Sequence, residues 1–195
     1  MKAGVVAVQG DVSEHIHALE NAMHVLSISG EAIRVRKAAD VLSVDSLIIP
    51  GGESTTISKL LKLSGMFDAI RKRASEGMPL MGTCAGCILL AKKGGEQVEK
   101  TSTELLGLMD MGVDRNYFGR QRESFEASLS IDGLSRPFTG VFIRAPAIVE
   151  TWGRCKPLAE FAGRTAMARQ DNMLALAFHP ELSADSSLHA MLLNL

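Results

Sequence analysis

Met78-Pro79-Leu80-Met81-Gly82-Thr83-Cys84-Ala85-Gly86-Cys87-Ile88-Leu89-Leu90-Ala91-Lys92 is the stretch on which the fold turns. An apolar run of strand length, residues 78–81, enters Gly82-Thr83-Cys84-Ala85-Gly86 and passes at once into a helical run, residues 87–92. Strand, small-residue turn and helix in immediate succession form the cysteine version of the nucleophile elbow. Small residues beside Cys84 permit the sharp turn. The turn lifts the sulfur clear of the sheet and sets it near the positive end of the following helix, which favours the attacking thiolate. The plain alternative is a structural cysteine buried in a glycine-rich turn, because cysteine is among the most buried residue types.

On the amino-terminal side the same alternation continues. Residues 3–8 read as a strand that ends at Gln9-Gly10-Asp11, and Ile16, Leu19 and Met23 recur at helical spacing behind it. A short strand over residues 32–35 precedes Ser46-Leu47-Ile48-Ile49, which is stopped by Pro50-Gly51-Gly52. Ser54 or Thr55 is the expected cap of the next helix, with Ile57, Leu60 and Leu61 as its apolar stripe, and residues 66–76 read as another helix. Strands alternating with helices specify an α/β fold with a mostly parallel central sheet covered on both faces. Beyond Gly94 the pattern changes to strands over residues 124–131, 138–143, 157–161, 165–169 and 173–178, separated by turn residues as in antiparallel hairpins. A helix over residues 184–193 closes the chain.

The composition narrows the function classes. With 195 residues the chain fits one domain, residues 1–195, with a core and a pocket at its rim. A formal net charge of -1 and scattered basic residues argue against nucleic acid as a partner. The apolar runs are too short to span a bilayer. Cys84, Cys87 and Cys155 are an odd number without metal-ligand flanks, and Met1 leads directly into a strand, so a reducing, cytoplasmic setting is expected. Cys84 and Cys87 do make a C-x-x-C, but no second cysteine or histidine pair stands at zinc spacing.

A nucleophilic thiol needs a base, and the base needs an orienting group. His179-Pro180-Glu181, just past the apolar strand at 173–178, offers both. Residues two apart in extended chain face the same side and Pro180 fixes a torsion between them, so Glu181 can hold the His179 imidazole in the useful tautomer. The bland alternative is a solvated turn. Acyl transfer also develops an oxyanion, for which the backbone N–H groups of Gly52 and Ala85 are the candidate donors. All these elements sit at strand ends, where ligands bind in open parallel sheets.

Pro50-Gly51-Gly52-Glu53-Ser54, Gly82-Thr83-Cys84-Ala85-Gly86 and His179-Pro180-Glu181 together resemble the class I glutamine amidotransferases. Further segments are similar to the glutaminase subunits of pyridoxal phosphate synthase: Val8-Gln9-Gly10-Asp11 with Glu14-His15, Asp114 through Gln121, Ser124-Phe125-Glu126 and Phe138 through Pro146. The resemblance spans nearly the whole chain. It implies a flavodoxin-like domain in which Cys84 is the nucleophile, His179 the base and Glu181 its orienter. It further implies that Gly51, Gly52, Glu53, Arg115, Ile143 and Arg144 line a pocket for L-glutamine. The substrate's α-carboxylate calls for a guanidinium, from Arg115 or Arg144, and its α-ammonium for a carboxylate such as Glu53. The implied partner is the ammonia-accepting synthase subunit, with no cofactor or metal in the glutaminase itself. A glutaminase serving another synthase, such as that of histidine biosynthesis, and a catalytically silent subunit of the same fold are the rival readings. Cys87, where the resemblance suggests an aliphatic residue, adds an expected oxidation liability. Asp11 and Glu14-His15 are expected to touch the partner or order the pocket, and Arg120 and Arg122 to make surface or interface ion pairs.

Overall fold

The computed structural model describes residues 1–115, 117 and 124–195. The first half runs β1 (Lys2–Val6), α1 (Val12–Val25), β2 (Glu31–Val35), α2 (Ala38–Leu42), β3 (Ser46–Ile49), α3 (Ser54–Leu63), α4 (Met66–Ser75), β4 (Leu80–Thr83) and α5 (Ala85–Leu90). The second half runs β5 (Ala91–Gly94), α6 (Glu96–Lys100), β6 (Met109–Asp114), β7 (Phe125–Leu129), β8 (Phe138–Phe142), β9 (Ala147–Thr151), β10 (Lys156–Phe161), β11 (Arg164–Gln170), β12 (Met173–Leu176) and α7 (Ser187–Leu193).

The main sheet has the order β2-β1-β3-β4-β12-β11-β9-β6-β5, with β10 added on β11. From β2 to β12 every pairing is parallel, whereas β12-β11, β11-β9, β9-β6 and β10-β11 are antiparallel. The expected mixture of a parallel half and later antiparallel strands is thus present. Strand alternation sorts the core into two layers. Leu47, Ile49 and Leu80 face α3, α4 and α5 through Ile57, Leu61, Phe67 and Ile70, and Ile48, Met81, Leu174 and Leu176 face α1 and α7 through Leu19, Leu188 and Leu192. β7 and β8 form a separate two-stranded antiparallel sheet. It docks on the second layer through Phe138, Phe142 and Phe178, whose rings lie 5.6–5.9 Å apart.

Several boundaries differ from the sequence reading. The helix after the elbow begins at Ala85 and stops at Leu90; residues 91–94 leave it as β5, pairing parallel to β6. β6 and β9, unexpected from sequence, bridge this edge to β11. The final helix is shorter than residues 184–193, because Pro180–Leu182 forms a 3-10 turn and α7 starts at Ser187. No helix is long and apolar enough to cross a membrane among the described residues. Most of the Asn116 to Gln121 motif, with Arg120 and Arg122, lies outside the described residues.

Candidate active site

The elbow follows from close packing. Cys84 adopts φ 48° and ψ -103°, a costly conformation for a residue with a side chain. Its N–H donates to the Leu176 carbonyl of β12 at 2.8 Å, and its carbonyl accepts from Ile88 at 3.2 Å, so both sides of the turn are anchored. A Cβ on Gly86 would stand 2.0 Å from the Ile49 carbonyl oxygen, and one on Gly82 would stand 2.5 Å from that of Gly86. Those contacts are backbone, so glycine is required at both positions. Cys84 remains 8 % exposed, while Ala85 beside it is buried.

His179 reaches the sulfur from the end of β12. Its N–H donates to the Val141 carbonyl of β8 at 2.8 Å, in an isolated antiparallel bridge that ties the small hairpin to the imidazole's backbone. Nδ1 lies 2.7 Å from Glu181 Oε1, which leaves Nε2 as the nitrogen available to the neighbouring Cys84 sulfur. Burial opposes charge on this imidazole, yet the hydrogen bonds to Cys84 and Glu181 outweigh it and hold its pKa up, at about 10. Glu181 is itself pushed up by burial, against the pull of the His179 hydrogen bond. Pro180 starts a 3-10 turn, not the extended chain the two-residue spacing suggested, and this turn brings Glu181 to the ring.

Gly51 closes over this pair, for a Cβ there would lie 2.5 Å from His179 Cε1 and 3.4 Å from Cys84 Cβ. Gly52, at φ 137°, packs on the Gln9 side chain and Ile57. From the hairpin side, the Ile143 carbonyl comes within 3.9 Å of Cys84 Sγ, and the next residue, the exposed Arg144, has φ 45°. Ile143, Gly51, Cys84 and His179 are therefore gathered at one point. Asp11 stands at its edge, with Oδ2 3.9 Å from His179 Nδ1. Asp11, His179 and Glu181 bring three ligand atoms within 4.8 Å, a spacing compatible with a cation. His179 Nδ1, however, is already engaged by Glu181.

Glu53, expected to line the pocket, also has a structural part in α3. It is the N-cap of α3, accepting from the Thr55 N–H at 3.0 Å and from the Thr56 N–H and hydroxyl at 2.7 Å. Arg115 pairs with the same carboxylate and donates to Thr55 Oγ1 at 3.2 Å. The expected caps, Ser54 and Thr55, are thus displaced by a longer carboxylate, and the Ser54 side chain is turned inward. Burial acts to raise the Glu53 pKa, but the Thr56 and Thr55 hydrogen bonds and the Arg115 charge lower it to about 2. Gln9 joins the arrangement by accepting from the Glu53 N–H at 3.0 Å. Its position at the end of β1 was visible in sequence; its bond across 44 residues was not.

The cysteine pair also resolves. Cys87 is fully buried and burial pushes its thiol well up, so the expected oxidation liability is removed by inaccessibility. The Glu14-His15 pair divides between two environments: Glu14 is exposed beside a cavity of about 510 Å³, whereas His15 is fully buried with its Nε2 3.3 Å from Glu181 Oε2.

A cysteine on a strained elbow at the carboxyl edge of a parallel sheet, faced by a hydrogen-bonded histidine and glutamate, is the arrangement expected of a cysteine-nucleophile amidotransferase. The chain belongs to the SNO glutamine amidotransferase family, whose model matches residues 5–194, and it is an enzyme of the glutamine amidotransferase type. It is 53% identical over 195 residues to the pyridoxal 5'-phosphate synthase subunit PdxT of Archaeoglobus fulgidus, covering 100% of this chain and 98% of the relative. It is 49% identical over 194 residues to the subunit of the same name from Methanosarcina mazei, with the same two coverages. A crystal structure of a glutamine amidotransferase superposes with a TM-score of 0.86 at 44% identity, covering 98% of this chain and 97% of that one. The PurLQS structure from Thermotoga maritima shares the fold at TM-score 0.61 and 18% identity, over 99% of this chain and 97% of that chain.

Proposed function

We propose that this chain, acting as one domain over residues 1–195 in the cytoplasm, hydrolyses L-glutamine to L-glutamate and ammonia for a pyridoxal phosphate synthase subunit. The observation that carries the chemistry is the His179 imidazole, hydrogen-bonded to Glu181 at 2.7 Å beside the elbow cysteine, whose proximity helps to raise its pKa. The synthase partner follows from full-length relatives that are about half identical and named as subunits of that synthase.

In this reading His179 takes the Cys84 thiol proton, the sulfur attacks the side-chain amide carbon of glutamine, and the carbonyl electrons move to oxygen. The Ala85 and Gly52 N–H groups are the proposed donors to that oxyanion. His179 gives its proton to the leaving nitrogen, releasing ammonia and a glutamyl thioester. It then takes a proton from water, whose oxygen attacks the thioester; collapse frees glutamate and returns the thiol. Glu181 keeps the imidazole oriented throughout. Thiol, imidazole, carboxylate and backbone N–H groups supply every role in these steps, which call on no metal or organic cofactor.

Gly51, Gly52, Ile143 and Arg144 form the proposed wall of the glutamine pocket. Arg115 and Glu53 contribute to it as a mutually paired unit, which makes Arg144 the stronger candidate for the α-carboxylate. Free ammonia protonates and escapes, so turnover gated by synthase docking is the expected regime, with a turn of the Gly51-Gly52 peptide completing the oxyanion donors.

The test is ammonia release from glutamine by the wild-type chain and by Cys84→Ala, each with and without the synthase subunit. Activity that requires Cys84 and rises with the synthase is the expected result. Undiminished activity in Cys84→Ala would remove the proposed nucleophile, and equal turnover without the synthase would remove the gating. Silence in every mixture would favour a regulatory subunit.

A further inference from the structure

We infer that His15 is a positioning residue for the Glu181 carboxylate, steadying its second oxygen from α1, and that His189 on α7 fixes the His15 tautomer that does so. The inference rests on the triad reading above.

Glu181 Oε1 is occupied by His179 at 2.7 Å. Oε2 points the other way, into a region where both side chains of the contact are fully buried, and His15 Nε2 stands 3.3 Å from it. Oε2 is buried and makes no hydrogen bond among the described residues, so the His15 ring is its close polar neighbour rather than an aligned partner. The same His15 nitrogen lies 3.3 Å from the buried Thr83 hydroxyl, one residue before Cys84. On its far side, His15 Nδ1 meets His189 Nε2 at 3.0 Å, the rings tilted by 55°. A continuous line of contacts therefore runs from α7 through α1 to the triad.

Charge and proton count decide how this line is wired. Burial lowers both imidazoles, His189 to about 4 and His15 well below the ordinary value with help from its histidine neighbours, so both are neutral. Each then carries one N–H. An anionic oxygen 3.3 Å from a bare nitrogen lone pair is repulsive, whereas an N–H there is attractive, so His15 holds its proton on Nε2. Its Nδ1 must then accept, and His189 must donate from Nε2. His189 Nδ1 is left as a bare acceptor, in keeping with its having no hydrogen-bond partner among the described residues. One proton arrangement satisfies the line: His179 bonds Oε1, while the His15 Nε2–H, shared with the Thr83 hydroxyl, lies beside Oε2 and attracts it electrostatically.

The consequence is electrostatic as well as geometric. Burial pushes Glu181 up and the nearby Asp11 charge adds to this, so a second donor on the carboxylate helps to keep it ionised beneath the His179 imidazolium. The titratable or charged groups facing Glu181 are His179 above it, His15 from α1 with His189 behind, and Asp11 ahead of α1; Glu14 and His17 share the cavity that Glu181 borders.

Two measurements test this on the full chain, the kinetic one with the synthase subunit present. First, 15N spectra of the histidine-labelled wild-type chain should show His15 and His189 as neutral Nε2–H tautomers; a proton on His15 Nδ1 overturns the inference without any variant. Second, His15→Leu should lower kcat for glutamine hydrolysis about tenfold with little change in KM, and move the acid limb of the pH profile up by about one unit. His15→Gln, whose side-chain amide nitrogen takes the place of Nε2, should recover most of both losses. A folded His15→Leu with the wild-type kcat and acid limb overturns the proposal. If Cys84→Ala retains activity, it is the triad reading that has failed instead.

Discussion

Replacing Gly51 by alanine adds one methyl group against the imidazole proposed as the base. Gly51 is not among the glycines at positive φ, so alanine meets no backbone penalty there and the effect is one of contact alone. The new Cβ would stand 2.5 Å from His179 Cε1 and 3.2 Å from Nδ1, against an ordinary contact of 3.4 Å or more. About 1 Å of movement is needed. The ring is poorly placed to supply it, held by Glu181 at Nδ1 and by Val141 at the backbone, and Cys84 Cβ blocks the other direction at 3.4 Å. A displacement of that size between nucleophile and base costs on the order of a hundredfold in rate, about 2.7 kcal/mol of barrier. Synthase-activated ammonia release should therefore show kcat down by about two decades in Gly51→Ala, with an unfolding curve close to that of the wild type. A variant keeping kcat within about threefold would refute the argument that this glycine is required by the imidazole.

The charge state of His179 and the cap of α3 make two further predictions. His179 has a raised pKa, so the stability its charge contributes is complete below about 6.5 and is lost as pH rises through about 10. Both chemical stability and kcat/KM for glutamine should fall in that window, and Glu181→Gln should bring the alkaline limb down by at least about one unit. Glu53 has the opposite sign: its lowered pKa gives stability that is present above about 4.5 and lost as pH falls toward about 2. Glu53→Gln should cost about 1 kcal/mol in urea unfolding at pH 7, mostly through the lost cap, and should flatten that acid dependence. The carboxylate is 42% exposed, so solvent screening keeps the Arg115 contribution small.

What could be read from sequence followed from whether the governing contacts were local. Gly82 and Gly86 signal the elbow because the turn itself forces main chains together, and His179-Pro180-Glu181 carries its geometry in three residues. The α3 cap was misassigned because serine and threonine are the usual capping residues, whereas here Glu53 reaches two N–H groups with help from Arg115, 62 residues away. β5 was lost in the preceding helix because Lys92 and Lys93 interrupt its apolar character, and it is a sheet edge specified by pairing with β6. His15 could be placed near the first strand end, but its contact with His189 spans 174 residues and leaves no periodic trace.

The small β7-β8 hairpin separates two kinds of evolutionary freedom. Cys84 and His179 are mounted on neighbouring strands of the main sheet, whereas Ile143 and Arg144 extend from a ribbon outside it. The ribbon touches the base's backbone through the Val141 bridge, a contact made by main-chain atoms and therefore indifferent to side-chain identity. If Ile143 and Arg144 wall the pocket as proposed, exposed ribbon side chains are free to set what it admits, while Phe138 and Phe142 remain bound to the packing against Phe178 beside the base.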